Sequence, residues 1–119
     1  MSGDFLAGMA ASSRERCLAA EREVPRATLL ARALATPPAP RLRLSGGFDL
    51  IAEVKLRSPA AGQLKGGEED VAARVASYAV AGAAAVSVLT EPTRFDGSLQ
   101  HLELAVRALG ARAPAMRKD

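Results

Sequence analysis

Two short apolar runs on either side of a helix-length segment restrict the folds open to this chain more than any other feature. Leu50, Ile51, Ala52 and Val54 make the first run, and Ala84 to Leu89 make the second. Neither alternates strictly between apolar and polar residues, the pattern of strands covered on both faces, as in a parallel sheet flanked by helices. Between them Val71, Val75, Tyr78 and Ala79 recur at helical spacing. Glu68, Glu69 and Asp70 stand at the start of that helix, where the backbone dipole favours carboxylates, and Gly82 suits its stop. Ser98 is placed to cap a second helix, Leu99 to Leu109, whose apolar stripe is Leu99, Leu102, Val106 and Leu109. His101 falls on its polar side and Gly110 ends it. Ala113 to Lys118 then begins a third strand, on which Met116 and Lys118 share a face. Strands alternating with helices in this way predict a parallel βαβαβ layout with right-handed crossovers.

Upstream, Phe5, Leu6, Met9, Cys17 and Leu18 recur with loose helical spacing between Asp4 and Glu23. Pro25 suits the first turn of a further helix, Arg26 to Ala35, with Leu29, Leu30, Ala33 and Leu34 as its apolar stripe. Thr36-Pro37-Pro38-Ala39-Pro40 stops it. With aromatic residues at only 3%, any core must be built from Ala, Leu and Val.

The first apolar run carries two charges. Side chains alternate along a strand, so Ile51, Glu53 and Lys55 share a face, with the charged pair roughly 7 Å apart along the backbone. Burying either charge alone would cost several kcal/mol, so the pair is mutually compensated, wet, or aimed at a ligand. Ser58-Pro59 and a loop with Gly62, Gly66 and Gly67 follow, which suits the rim of an active site, since α/β folds do their chemistry where strands finish. The same pattern also suits an ion pair on an ordinary sheet surface. Lys118 likewise ends a strand, and parallel, adjacent strands would bring Glu53, Lys55 and Lys118 to one rim. A lysine pressed by desolvation or a neighbouring cation can act as an acid or base near neutral pH, and a nearby carboxylate tunes and orients it.

Other classes of function fit poorly. The net charge is +3, but the sixteen basic residues are scattered among thirteen acidic ones, which argues against a nucleic-acid partner. Cys17 is the single cysteine, read as a buried or idle thiol, and His101 the single histidine, which argues against disulfide frameworks and histidine zinc sites. There is no apolar span near the length of a membrane helix and no leader pattern, so a cytoplasmic protein with no membrane partner is expected.

The charged strand belongs to a larger pattern. Leu50-Ile51-Ala52-Glu53-Val54-Lys55 with Ser58-Pro59 and Gly62, then Val86-Ser87-Val88-Leu89-Thr90-Glu91, then Phe95-Asp96-Gly97-Ser98, then Arg117-Lys118-Asp119 resemble successive blocks of the indole-3-glycerol phosphate synthase family. Order and spacing both fit. The helical stretch from Phe5 to Ala35 resembles the extra helices which that family places before its barrel.

The resemblance implies an α/β fold, part of a (β/α)8 TIM barrel, with residues 1–47 as a helical extension and linker and 48–119 as the first βαβαβ part. It implies a decarboxylating carbon–carbon lyase of tryptophan biosynthesis. The substrate would be the phosphosugar 1-(2-carboxyphenylamino)-1-deoxyribulose 5-phosphate, converted to indole-3-glycerol phosphate with release of carbon dioxide and water, without metal or organic cofactor. By position, Lys118 resembles the general acid acting on the substrate carbonyl during ring closure. Lys55 resembles the lysine that contacts the substrate carboxylate and can take part in proton transfer, and Glu53 the carboxylate that positions and tunes it. Ser58 resembles a loop residue near the substrate, and Leu89 and Phe95 resemble apolar residues that hold its aromatic ring. Each has a plainer alternative: Ser58 shaping its turn, Leu89 filling a barrel, Phe95 stapling its loop.

A full barrel takes about 250 residues. The family's glutamate general base, an asparagine and the phosphate-binding loops belong to its later part, so this chain is expected to be an N-terminal fragment, truncated in or just after the third strand and inactive alone. Ala60 also stands where members often have a second serine. A competing expectation is a non-catalytic half-barrel that pairs with a complementary half, or with itself, through open sheet edges. Phosphoribosylanthranilate isomerase, another phosphosugar barrel, lacks the Glu53-Val54-Lys55 block with Ser58-Pro59 and fits less well.

Overall fold

The computed structural model describes residues 2–64 and 68–119. Gly66, Gly67 and the carboxylates of Glu68 and Glu69 lie outside the described set. The chain divides into two compact units, residues 1–38 and 39–119.

The first unit holds α1 (Ser2–Glu23) and α2 (Arg26–Leu34). Pro25 stands at the N-cap of α2, and its carbonyl accepts from the Leu29 N–H at 3.0 Å, so its missing N–H costs the helix nothing. Thr36 closes the far end by donating its hydroxyl to the Ala33 carbonyl at 2.7 Å. Leu29, Leu30 and Leu34 are exposed. Cys17 is exposed too, so of the two readings, a buried or an idle thiol, burial does not hold.

The second unit contains β1 (Ile51–Val54), β2 (Arg57–Ser58), β3 (Gly62–Gln63), α3 (Glu68–Val80), β4 (Ala85–Leu89), α4 (Leu99–Leu109) and β5 (Ala115–Lys118). β1, β4 and β5 form a parallel sheet in that order, with Glu53 beside Ser87, Ser87 beside Met116, and Leu89 beside Lys118. The central strand β4 is buried throughout, as its mostly apolar sequence predicts, the polar Ser87 included. Val54, Val86 and Val88 meet Val71 and Val75 of α3 and Ala105 and Leu109 of α4 in one core cluster, completed by Ala113. This is a layer of helices on one sheet face.

The opposite face is not covered: Ile51 is 52% exposed and Met116 47%. The expected covering of both sheet faces is therefore not met among the described residues; β4 alone is buried along its whole length, sheltered by the side chains of the strands on either side of it. Among the described residues the chain is an α/β protein with a three-stranded parallel sheet that does not close into a barrel.

Two local readings are also corrected. The segment after β1 is not plain loop but folds back as the antiparallel pair β2–β3, with Gly62 at φ +68°. In α4, Ser98 caps as expected, its hydroxyl accepting from the His101 N–H at 3.2 Å. The buried face, however, is His101, Ala105 and Leu109, while Leu99 and Val106 are exposed. The small side chain of Ala105 lets the helix backbone approach the sheet, which favours this face over the more apolar one.

Candidate active site

Parallel pairing brings the carboxyl ends of β1, β4 and β5 to one end of the sheet. Because Val54, Val86 and Val88 point into the helix-covered core, alternation turns Glu53, Lys55, Ser87 and Leu89 to the open face. Met116 and Lys118 share that face by register.

Here the Glu53 carboxylate lies between two ammonium groups. Lys118 Nζ donates to Oε2 at 2.9 Å, and Lys55 Nζ lies 3.5 Å from Oε1. Burial acts to raise the Glu53 carboxyl, but the Lys118 hydrogen bond and charge, reinforced by Lys55, outweigh it and hold the group below its ordinary range. All three side chains stay partly open to solvent, at 30% for Glu53, 35% for Lys55 and 53% for Lys118. A carboxylate clamped this way fixes two ammonium groups at one mouth, where they can donate protons to, or neutralise, an anionic or carbonyl-bearing ligand. Tyr78 steadies the strand from the helix side by donating its hydroxyl to the Glu53 carbonyl at 3.1 Å.

The remaining candidate residues surround this group unevenly. Leu89 lies at the level of Lys118 on the same face but is only 4% exposed. Ser58 is buried in the β2–β3 turn, where its hydroxyl accepts from the Ala61 N–H at 3.0 Å, so shaping the turn is one use of it. Phe95 is half-buried in the loop after β4.

Sequence reasoning assigned no part to four residues near this mouth. Thr90 joins β4 to β5: its N–H donates to the Lys118 carbonyl at 2.7 Å, and its hydroxyl accepts from Arg117 Nε at 3.1 Å. Glu91 is wholly buried and its carboxylate gathers the backbone of the following loop. Asp96, at φ +51°, places a carboxylate oxygen 3.7 Å from Nη1 of Arg57. Ser87, one layer below the lysines, has a buried hydroxyl with no hydrogen-bond partner among the described residues. All four lie within the family-like blocks Val86 to Glu91 and Phe95 to Ser98, but nothing local gave any of them a role, and the polar residues between Thr90 and Asp96 read equally well as an ordinary loop. Among the described residues no group of three histidine, cysteine or carboxylate side chains could hold a metal ion.

A parallel βα-repeat fold with an ion cluster at the carboxyl ends of its strands places the chain among the α/β proteins that carry their chemistry where strands finish. A family model described as indole-3-glycerol phosphate synthase matches residues 11–119, and the chain belongs to that family. Similar proteins, each named indole-3-glycerol phosphate synthase, include one from Nocardioides sp., 44% identical over 98% of this chain and 43% of its own length. Another, from Saccharopolyspora erythraea, is 44% identical over 89% of this chain and 39% of its own. One from Methanopyrus kandleri is 47% identical over 66% of this chain and 31% of its own. The chain thus spans between 31% and 43% of the length of these relatives.

Proposed function

We propose that this chain supplies the first catalytic groups of an indole-3-glycerol phosphate synthase, a decarboxylating lyase of tryptophan biosynthesis. It would act on 1-(2-carboxyphenylamino)-1-deoxyribulose 5-phosphate. The observation that carries this reading is the Glu53 carboxylate gripping Lys118 at 2.9 Å and Lys55 at 3.5 Å across two strands.

In this reading Lys118 is the general acid. Ring closure turns the substrate carbonyl oxygen into an alkoxide-like group, which a positioned ammonium stabilises and protonates. Lys55 holds the substrate carboxylate, and Glu53 orients both lysines. Leu89 and Phe95 contact the aromatic ring, and Ser58 belongs to the loop beside it. The barrel part begins at Phe48, behind an extension formed by residues 1–47, and the setting is cytoplasmic. Carbon dioxide and water leave after ring closure, and the groups needed beyond Lys118 would come from later strands of a completed (β/α)8 barrel. The three-stranded sheet by itself is then inactive. In a completed barrel, Lys118→Met lowers turnover by at least about 100-fold, the usual scale of general acid catalysis. A loss smaller than about tenfold would count against the role given to Lys118.

A second reading, a non-catalytic half-barrel that associates with a complementary half or with itself, is favoured by one observation. Phe48, Leu50 and Ile51 at the β1 edge are 90%, 57% and 52% exposed.

A further inference from the structure

The geometry points to Glu91 as a positioning residue that builds the aromatic-gripping loop and fixes it to the strand end carrying the reactive lysine. This rests on the synthase reading for the identity of the gripped ring.

Glu91 is 0% exposed, although it follows β4 directly and belongs to a loop. Both of its carboxylate oxygens are engaged. Oε1 accepts from the Thr93 N–H at 2.9 Å and from the Thr93 hydroxyl, and Oε2 accepts from the N–H groups of Arg94 at 2.7 Å and Phe95 at 3.3 Å. Three successive backbone amides therefore converge on one side chain, and the loop has the shape of what it wraps. The Gly97 N–H closes it onto the Glu91 carbonyl at 2.8 Å. Gly97 itself lies so close to the end of β4 that a Cβ there would fall 2.4 Å from the Leu89 carbonyl oxygen.

The loop is connected on both sides to the candidate site. Thr90, the residue before Glu91, hydrogen-bonds through its N–H to the Lys118 carbonyl. Asp96, the residue after Phe95, pairs with Arg57, next to Ser58 in the β2–β3 hairpin. Glu91 thus sets where Phe95 stands relative to Lys118 without touching substrate itself. A ring-gripping side chain fixed before binding lowers the cost of ordering it upon binding. Losing that anchor weakens substrate binding while leaving the lysine chemistry in place, so KM should respond and kcat should not.

The test is Glu91→Gln, which keeps the shape but turns one acceptor oxygen into an NH2 donor facing N–H donors. In the 119-residue chain, hydrogen exchange at the Thr93, Arg94 and Phe95 amides should accelerate at least about tenfold, while Val86 and Val88 in β4 keep their protection. In a completed barrel, KM should rise about tenfold or more with kcat within about threefold of the parent. Unchanged loop exchange overturns the proposal, as does equal loosening of β4, which would make Glu91 a general stabiliser. Loosened exchange with unchanged KM also overturns it. A parent barrel without turnover sinks the synthase reading, and the exchange results alone then decide the loop-building role. Should Glu91→Gln fail to fold, Thr93→Val removes one hydroxyl donor and should move loop exchange and KM the same way by about threefold; no movement in either overturns the proposal.

Discussion

At Glu53 the two lysines compete with burial and win. The carboxyl of the folded chain stays ionised to lower pH than that of the unfolded chain, whose ordinary value is 4.5. Its ion pairs therefore contribute stability above that value and lose it as pH falls through the depressed folded value. The contribution is small, because each pair is partly solvated and such pairs contribute about 0.2–1 kcal/mol. Denaturant unfolding followed from pH 6 downward should show a steeper loss of stability for the parent than for Glu53→Gln below about pH 4.5. Parallel curves would mean that the two ammonium groups do not hold Glu53 in solution. The common face of Glu53 and Lys55 could be read from the sequence, because strand alternation places them there without reference to anything distant, whereas Lys118 joins them only once β5 pairs beside β4. Ser87 could not be read this way, since only the neighbours of a buried hydroxyl decide whether it has a partner.

Among the elements, α4 separates what a pattern predicts from what packing selects. Its most apolar stripe runs through Leu99 and Val106, yet the helix buries Ala105 and Leu109 and leaves Val106 at 51% exposure. Hydrophobicity ranks the faces, but the space between a helix and a twisted sheet admits small residues where the backbones come closest. Val106→Lys should consequently change stability by no more than about 0.5 kcal/mol. Ala105→Leu, conservative by composition, should cost about 1–3 kcal/mol through overpacking. Urea unfolding of the two variants checks both values, and the reverse order would restore the stripe expected from periodicity. The β2–β3 hairpin was missed for a related reason: two-residue strands have no periodicity, and their pairing depends on Gly62 turning the chain at positive φ.

At the scale of the molecule, the consequential feature is that, among the described strands, only β4 has neighbours on both sides. β1 and β5 present outer edges, and the sheet face away from the helices bears Ile51 and Met116 in the open. Exposed edges with apolar side chains favour pairing with another chain. Sedimentation of the 119-residue chain should show concentration-dependent association, reduced by Ile51→Lys, which puts a charge on that face. A monomer at every concentration would remove self-association from the half-barrel reading, leaving a complementary half as its only partner and the synthase reading untouched.

The sequence by itself determined the parallel βαβαβ order, the cap at Ser98 and the common face of Glu53 and Lys55. Each follows from local periodicity or the chemistry of a few adjacent residues. Only the tertiary structure decided that Lys118 closes on Glu53 at 2.9 Å, which helix face meets the sheet, and that Glu91 lies inside its own loop. Those outcomes depend on distances between segments far apart in the chain, where packing and the pairing of buried polar groups govern rather than propensity.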